Sequence, residues 1–567
     1  MTEFVDLHEA VAKHVRAGDS LHVILGHSRW SALLREVTRQ HWGKKSGFTL
    51  QMASLSSLGA VLFESGSVDH VVTVYSGDSF PSFTPNPVFQ RAYASGEVTV
   101  ENWSFLTYVQ RLRAAAFGLP ATVTGSVVGS TMEEQDAFTT VEVNGEEVCL
   151  VAPLVPDVAI VHAAVADRAG NLALSPPMFE GAHGAFAARR GVLATVERVV
   201  DDLRPWSTMV RIPAHRVLAV VEAPFGAHPG GVFAGPSGSR LPVDGYDEDI
   251  PFWIEVRDAS RSADFHQWIR TWILEPQTHQ DYLELLGAGR LRSLTRVHEK
   301  PRAGDEQPMP SNAERAATWF ADLLVERIRA TGAHSVLAGA GLANLAAWVG
   351  ADRSREAGAP TRLVAELGLW DYEPQPGDPL IFSFANFPTA AMLGDSESTL
   401  GTLVCGPGTA AIACVGAAQI DRNANINTTL IPGGPHLVGS GGGNDVVTRA
   451  DETLVVTTMS PGRFIEACDY VTSPGDRVRA VVTDKGVLTR IDGELALTAV
   501  PAEAGTLADA VADVRSSCGW DLRISETLAQ LRPVTDEDLA RLRTYDPTRI
   551  FLGGKKPPLT RVQETHA

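Results

Sequence analysis

The chain lacks what several large classes of protein require. Basic residues are in the minority, 48 Lys and Arg against 67 Asp and Glu, and the resulting net charge of −19 argues against a concentrated basic face for nucleic acid. No uninterrupted apolar run reaches membrane-spanning length, and Met1-Thr-Glu-Phe-Val-Asp opens with neither a positive stretch nor an apolar one. The expectation is therefore a cytoplasmic protein that does not engage the membrane. Only five cysteines occur, Cys149, Cys405, Cys414, Cys468 and Cys518, and none forms a Cys-x-x-Cys pair. That pattern suggests neither a disulfide framework nor a zinc site, and they are read as structural thiols. No His-x-x-x-His or comparable pair is present, so no metal is expected.

What is there is ordinary globular material, 44% hydrophobic and 20% charged over 567 residues, long enough for more than one core. Short β-branched runs alternate with amphipathic stretches: Ser20-Leu-His-Val-Ile-Leu25, then Trp30 to Gln40, then His70-Val-Val-Thr-Val-Tyr75. Alternation of this kind predicts α/β units around largely parallel sheets. From Leu286 the rhythm breaks into proline, glycine and charge without apolar periodicity, which marks a linker over 286–312 between domains at 1–285 and 313–567. A helix is predicted from Ala313 to Ala330, with Ser311 or Asn312 as its N-cap.

The halves echo each other. His162-Ala-Ala-Val-Ala-Asp-Arg-Ala-Gly-Asn171 overlies Gly416-Ala-Ala-Gln-Ile-Asp-Arg-Asn-Ala-Asn425, each after an apolar run. Asp-Arg-x-x-Asn suits a tight turn in which Asp and Asn side chains satisfy nearby backbone groups, so the echo points to two related α/β domains and not to chemistry.

Chemistry is expected elsewhere. Glu366 stands between the apolar run of Thr361-Arg-Leu-Val-Ala365 and Gly368, ahead of the densest glycine cluster, Gly439-Ser-Gly-Gly-Gly-Asn-Asp445. Its position makes it the leading candidate for a carboxylate nucleophile, and clustered glycines let backbone N–H groups approach an anion. Gly26-His-Ser-Arg-Trp30 and Ala338-Gly-Ala-Gly-Leu342 open helices after strands, but neither completes a dinucleotide-binding or P-loop pattern.

Gly416 to Thr428, Gly439 to Asp445 and Asp469-Tyr-Val-Thr-Ser-Pro-Gly475 together resemble the β subunit of family I CoA-transferases, the glutaconate CoA-transferase group. Glu366-Leu-Gly368 sits where that family has its Glu-x-Gly nucleophile. Arg91-Ala-Tyr93, Glu101-Asn-Trp-Ser104, Arg111 to Pro120, Pro156-Asp157, His162 to Asn171 and Ala223 to Pro229 resemble the α subunit. The resemblance implies α and β subunits fused in one chain: two related open α/β domains, α-like over 1–285 and β-like over 313–567.

The resemblance further implies an acyl-CoA:carboxylate CoA-transferase that works through a covalent glutamyl-CoA thioester on Glu366, with ping-pong kinetics. Coenzyme A and acyl-CoA enter as substrates, with a carboxylate acceptor and no permanently bound cofactor, and the chain is expected to pair into a homodimer or higher oligomer. Gly439, Ser440, Gly441, Gly442, Gly443 and Asn444 are the candidate CoA-binding loop, whose amides at 441–443 would also hold the oxyanion of the intermediate. Gly26, His27, Ser28, Arg29, Glu101 and Gly368 are candidate pocket residues. Leu367, bulky where the family has a small residue, suggests a tighter or more apolar acyl pocket, and His228 is read as a turn residue. Two other readings share the fold: hydrolysis of an acyl-CoA or CoA-linked ring, with an acid such as Glu101 taking over, and a CoA-binding protein without catalysis.

Overall fold

The computed structural model describes residues 2–26, 32–295, 309–503 and 505–553. Its first sheet runs Glu3–Phe4, Val217–Glu222, Gly191–Val200, Val158–Asp167, Ser20–Val23, Phe48–Met52, Val68–Thr73 and Thr99–Asn102, every neighbouring pair parallel. The strand Val158–Asp167 is buried along its entire length. A strand covered on both faces is largely apolar and does not alternate, and here only His162 and Asp167 interrupt the apolar run.

The second sheet is built around Arg362–Ala365, Ser335–Ala338, Ala411–Val415, Glu452–Val456 and Val478–Val482, again parallel. Antiparallel strands extend both edges: Leu369–Trp370 with Met392–Leu393 on one side, and Val487–Ile491 with Glu494–Pro501 on the other. In both sheets the opening strand, Ser20–Val23 or Ser335–Ala338, lies between the next strand of its own unit and a later one. A crevice forms at the carboxyl ends of strands where the order reverses in this way, and open α/β sheets bind their ligands there.

The duplicated turns are the same object twice. Asp167 accepts the N–H groups of Ala169 and Asn171 at 3.0 and 2.9 Å and the Asn171 side chain at 2.8 Å. Asp421 accepts those of Asn423 and Asn425 at 2.9 Å each and the Asn425 side chain at 3.0 Å. Even the outward bond is repeated: Asn171 Oδ1 accepts from Ala214 N–H, and Asn425 Oδ1 from Gly475 N–H, both at 2.9 Å. Replacing Asp167 or Asp421 by Ala leaves several amides without their acceptor in a part-buried turn. Each variant is expected to lose about 1–3 kcal/mol of stability in denaturant unfolding, with the turn and not the reaction as the cause.

The helix predicted at the start of the second half spans Asn312–Thr331, capped by Ser311 in a reciprocal box with Glu314 and ended by Gly332 at φ 68°. Within 286–312, Ala288–Leu294 is also helical, so regular structure runs into the stretch whose composition suggested a linker. Residues 296–308 lie outside the described ones. One apolar core joins the halves: Val74, Phe105 and Leu106 of the first pack in the same cluster as Val364, Leu367 and Leu400 of the second. Among the described residues no helix is long and apolar enough to cross a membrane, and no group of three His, Cys, Asp or Glu side chains is placed to hold a metal ion.

Candidate active site

Glu366 is the first residue beyond the buried strand Arg362–Ala365, at the carboxyl edge of the second sheet. The chain reverses at once: Gly368 N–H donates to Ala365 O at 3.2 Å, and Leu369 pairs with Ala365. Gly368 has φ 113°, and a Cβ there would collide with the carbonyl of Gly394. Only glycine meets both demands. Gly368, expected to line a pocket, is instead buried against Gly394, whose N–H donates to Gly368 O at 2.7 Å. The turn fixes where Glu366 points, and Thr399 Oγ1 donates to the Glu366 carbonyl at 2.9 Å to hold its backbone. Leu367 is 3% exposed and belongs to the shared core, so its bulk is spent on packing and does not narrow an acyl pocket.

The half-buried carboxylate of Glu366 accepts the Gly442 N–H on Oε2 at 3.1 Å. A Cβ on Gly442 would occupy the space of that same oxygen. The other glycine amides are committed elsewhere: Gly439 N–H donates to Thr428 O at 3.0 Å, Gly441 N–H to Val74 O at 2.9 Å, and Gly443 N–H to Ser440 O at 3.0 Å. The expectation that 441–443 jointly offer amides to an anion is corrected accordingly. Of the three, Gly442 alone directs its N–H to the carboxylate, because the protein's own carbonyls take the flanking two. Ser440 Oγ accepts from Asn444 N–H at 3.3 Å, and the fully buried Asn444 ties the loop to Thr472 O at 2.9 Å.

Glu101 is engaged with its own neighbours. Arg111 donates to it at 2.6 Å, the Trp103 indole N–H donates to the same oxygen, and His70 lies 3.7 Å from the other. Burial alone would raise its pKa, but the nearby His70 ring and the charge and hydrogen bond of Arg111 outweigh it and hold the carboxyl down at about 2. An acid with a depressed folded-state pKa stabilises the fold above its unfolded value, and that contribution is lost as pH falls. Wild-type protein should therefore lose thermal stability between roughly pH 4.5 and 2 in a step that is reduced in Glu101→Gln, as read from melting temperature against pH.

Gly26 lines a cavity built from both halves, with Phe80, Phe179, Gly341, Asn344 and Phe384 among its walls. Gly341, from the equivalent place in the second half, lines the same cavity. Glu366 is not one of the residues lining that cavity. Met178 N–H donates to Gly394 O and Ser396 N–H to Phe179 O, both at 2.7 Å, and these bonds link its wall to the turn behind Glu366. His27, Ser28 and Arg29 lie outside the described residues.

His228 is fully buried between Tyr282 Oη, at 2.7 Å, and Asp249 Oδ2, at 3.1 Å, an anchor inside the first half and not merely a turn residue. The cysteines offer no rival nucleophile: burial pushes Cys468 up to about 12 and Cys518 up to about 11. Thr399 and Asp445 were not anticipated as parts of the site. Asp445, an acid two residues after the glycine run, is the one that left a signal in the sequence.

The coenzyme A transferase family model matches residues 4–223. One of the two subunit types of glutaconate CoA-transferase from Acidaminococcus fermentans is 28% identical over 327 residues, 52% of this chain and 95% of that protein. The second type, from the same organism, is 33% identical over 163 residues, 25% of this chain and 59% of its own length. The fold matches that of an acyl-CoA transferase from E. coli O157:H7, solved as a thioester complex with CoA, at a TM-score of 0.65 and 16% identity, covering 94% of this chain and 95% of that one. With relatives of the first type matching one half and relatives of the second type the other, around a single shared core, the chain carries both types of CoA-transferase subunit in one polypeptide, its residues 4–223 match the coenzyme A transferase family, and these relatives support acyl-CoA:carboxylate CoA transfer.

Proposed function

We propose that the chain moves CoA from an acyl-CoA to an acceptor carboxylate through a covalent thioester on Glu366. The observation that carries this reading is the Glu366 carboxylate at a sheet edge, half-buried and held by the Gly442 N–H at 3.1 Å. A carboxylate oxygen attacks the thioester carbonyl, the C–S bond breaks, and a mixed anhydride and CoA thiolate result. The thiolate then attacks the glutamyl carbonyl, the anhydride C–O bond breaks, and the donor leaves as a free carboxylate. The acceptor carboxylate reverses both steps. Each stage exchanges one activated carbonyl for another of similar energy, which is what a covalent route accomplishes. A hydrogen bond from the Gly442 N–H favours the negative, nucleophilic form of the carboxylate.

The test is to supply acetyl-CoA, propionyl-CoA and glutaryl-CoA separately and to measure intact and peptide masses. The expected product is a CoA adduct on the peptide containing Glu366, removed by hydroxylamine. Consumption of acyl-CoA that is independent of added carboxylate, with no adduct on that peptide, would instead mark a hydrolase and sink the proposal.

A further inference from the structure

The amide that faces Glu366 is held in place by the other half of the chain. Helix Phe105–Ala116 begins with Ser104, whose side chain accepts from Thr107 N–H at 3.4 Å. The first amides of any helix have no partner within it. Here two of them are satisfied from the second half: Phe105 N–H donates to Gly441 O at 2.9 Å, and Leu106 N–H donates to Asp445 Oδ2 at 2.9 Å. These acceptors flank Gly442. On the opposite side Gly441 N–H donates to Val74 O at 2.9 Å, and Ser76 N–H donates to Val438 O at 2.7 Å.

From these contacts we propose that Asp445 is a positioning residue for CoA transfer: by capping the first-half helix it fixes the glycine turn so that Gly442 N–H points at Glu366. The inference rests on Glu366 being the nucleophile. Asp445 is fully buried, and its side chain is a costly one to place in a core for packing alone. Burial raises its pKa to about 6, while the Leu106 amide and the hydroxyls of Ser104 and Ser126 work to lower it. Its Oδ2 lies against the helix N-terminus, where the macrodipole favours negative charge. The arrangement also explains why a catalytic acid carried by one half has its hydrogen-bond donor set by the other. A peptide amide has no rotamer of its own and is aimed only by fixing its neighbours, and misplacement by about 1 Å can cost ~100-fold in rate.

The experiment compares Asp445→Asn, which keeps an oxygen for Leu106 N–H, with Asp445→Ala, which removes it, in the full chain with Glu366→Ala as control. The readout is the single-turnover rate of CoA-adduct formation from whichever of acetyl-, propionyl- or glutaryl-CoA labels wild type fastest. Asp445→Ala should slow adduct formation ~10- to 100-fold with KM changed less than ~3-fold, and Asp445→Asn should stay within ~5-fold of wild type. A loss confined to KM, or equal losses in both variants, overturns the proposal. In wild-type protein, amides across Gly441–Val446 should exchange hydrogen as slowly as those of the strand Ala411–Val415. Fast exchange there overturns it even if Asp445→Ala fails to fold. An adduct absent from wild type, or present in Glu366→Ala, overturns the nucleophile assignment instead, so the two failures are distinguishable.

Discussion

Glu366→Ala should abolish the CoA adduct and lower acyl-CoA:carboxylate exchange by roughly 10⁴-fold or more, because the variant has no group on which to build the intermediate. Glu366→Gln should fail to the same extent: its amide still reaches Gly442 but is not a nucleophile. Neither change should unfold the protein. The side chain is half-buried, and the backbone turn that carries it is fixed by Gly368 and Thr399, so the fold should be retained in both variants. Steady-state exchange of labelled CoA between an acyl-CoA and a free carboxylate, alongside thermal melting, checks both halves of the expectation. Exchange in Glu366→Ala at more than a few per cent of wild type would place the covalent step on another residue.

Gly442→Ala should be nearly as damaging for a different reason. Its Cβ would fall on Glu366 Oε2 and close against Leu400, so the carboxylate must leave its place beside the amide. A displaced nucleophile together with a lost donor predicts a fall in kcat of ~10²- to 10³-fold, with the fold retained. Its neighbour supplies the control. Gly443 has nothing within 4 Å of a Cβ and no positive φ, and it opens the short helix Gly443–Arg449, so Gly443→Ala should keep most of the activity. Equal losses at 442 and 443 would show that the loop responds to substitution in general and that the contact with Glu366 is incidental.

Much of the scaffold was legible because its causes are local. The Asp-Arg-x-x-Asn turns could be read in both halves since each Asp bonds atoms two and four residues further along the chain. The helix after Ser311 could be read from the cap signal at Ser311 or Asn312. Glu366 stood out for the same reason, as the first charge after a buried strand and just before a glycine that the turn requires.

The site's working details are not local, and spacing could not reveal them. The glycine run announced a loop that accommodates close approach, but not which amide stays directed at the carboxylate. That was decided by Val74, Thr428 and Ser440, the first of them in the other half of the chain, taking the N–H groups at 441, 439 and 443. Glu101 read as a candidate acid until folding set Arg111, ten residues on, and His70 against it. Leu367 read as a pocket wall until the shared core absorbed it.

By itself, then, the sequence determined two related parallel-sheet units, their repeated turns, and an acid at a strand end ahead of a glycine loop, because periodicity and short-range hydrogen bonding act between near neighbours in the chain. Only the tertiary structure decided that Gly442 faces Glu366 and that Asp445 and Phe105 hold it there. The bond between Gly442 and Glu366 spans 76 positions and those from Leu106 to Asp445 and from Phe105 to Gly441 span more than three hundred; hydrogen bonds of such span depend on how elements pack, which no local pattern encodes.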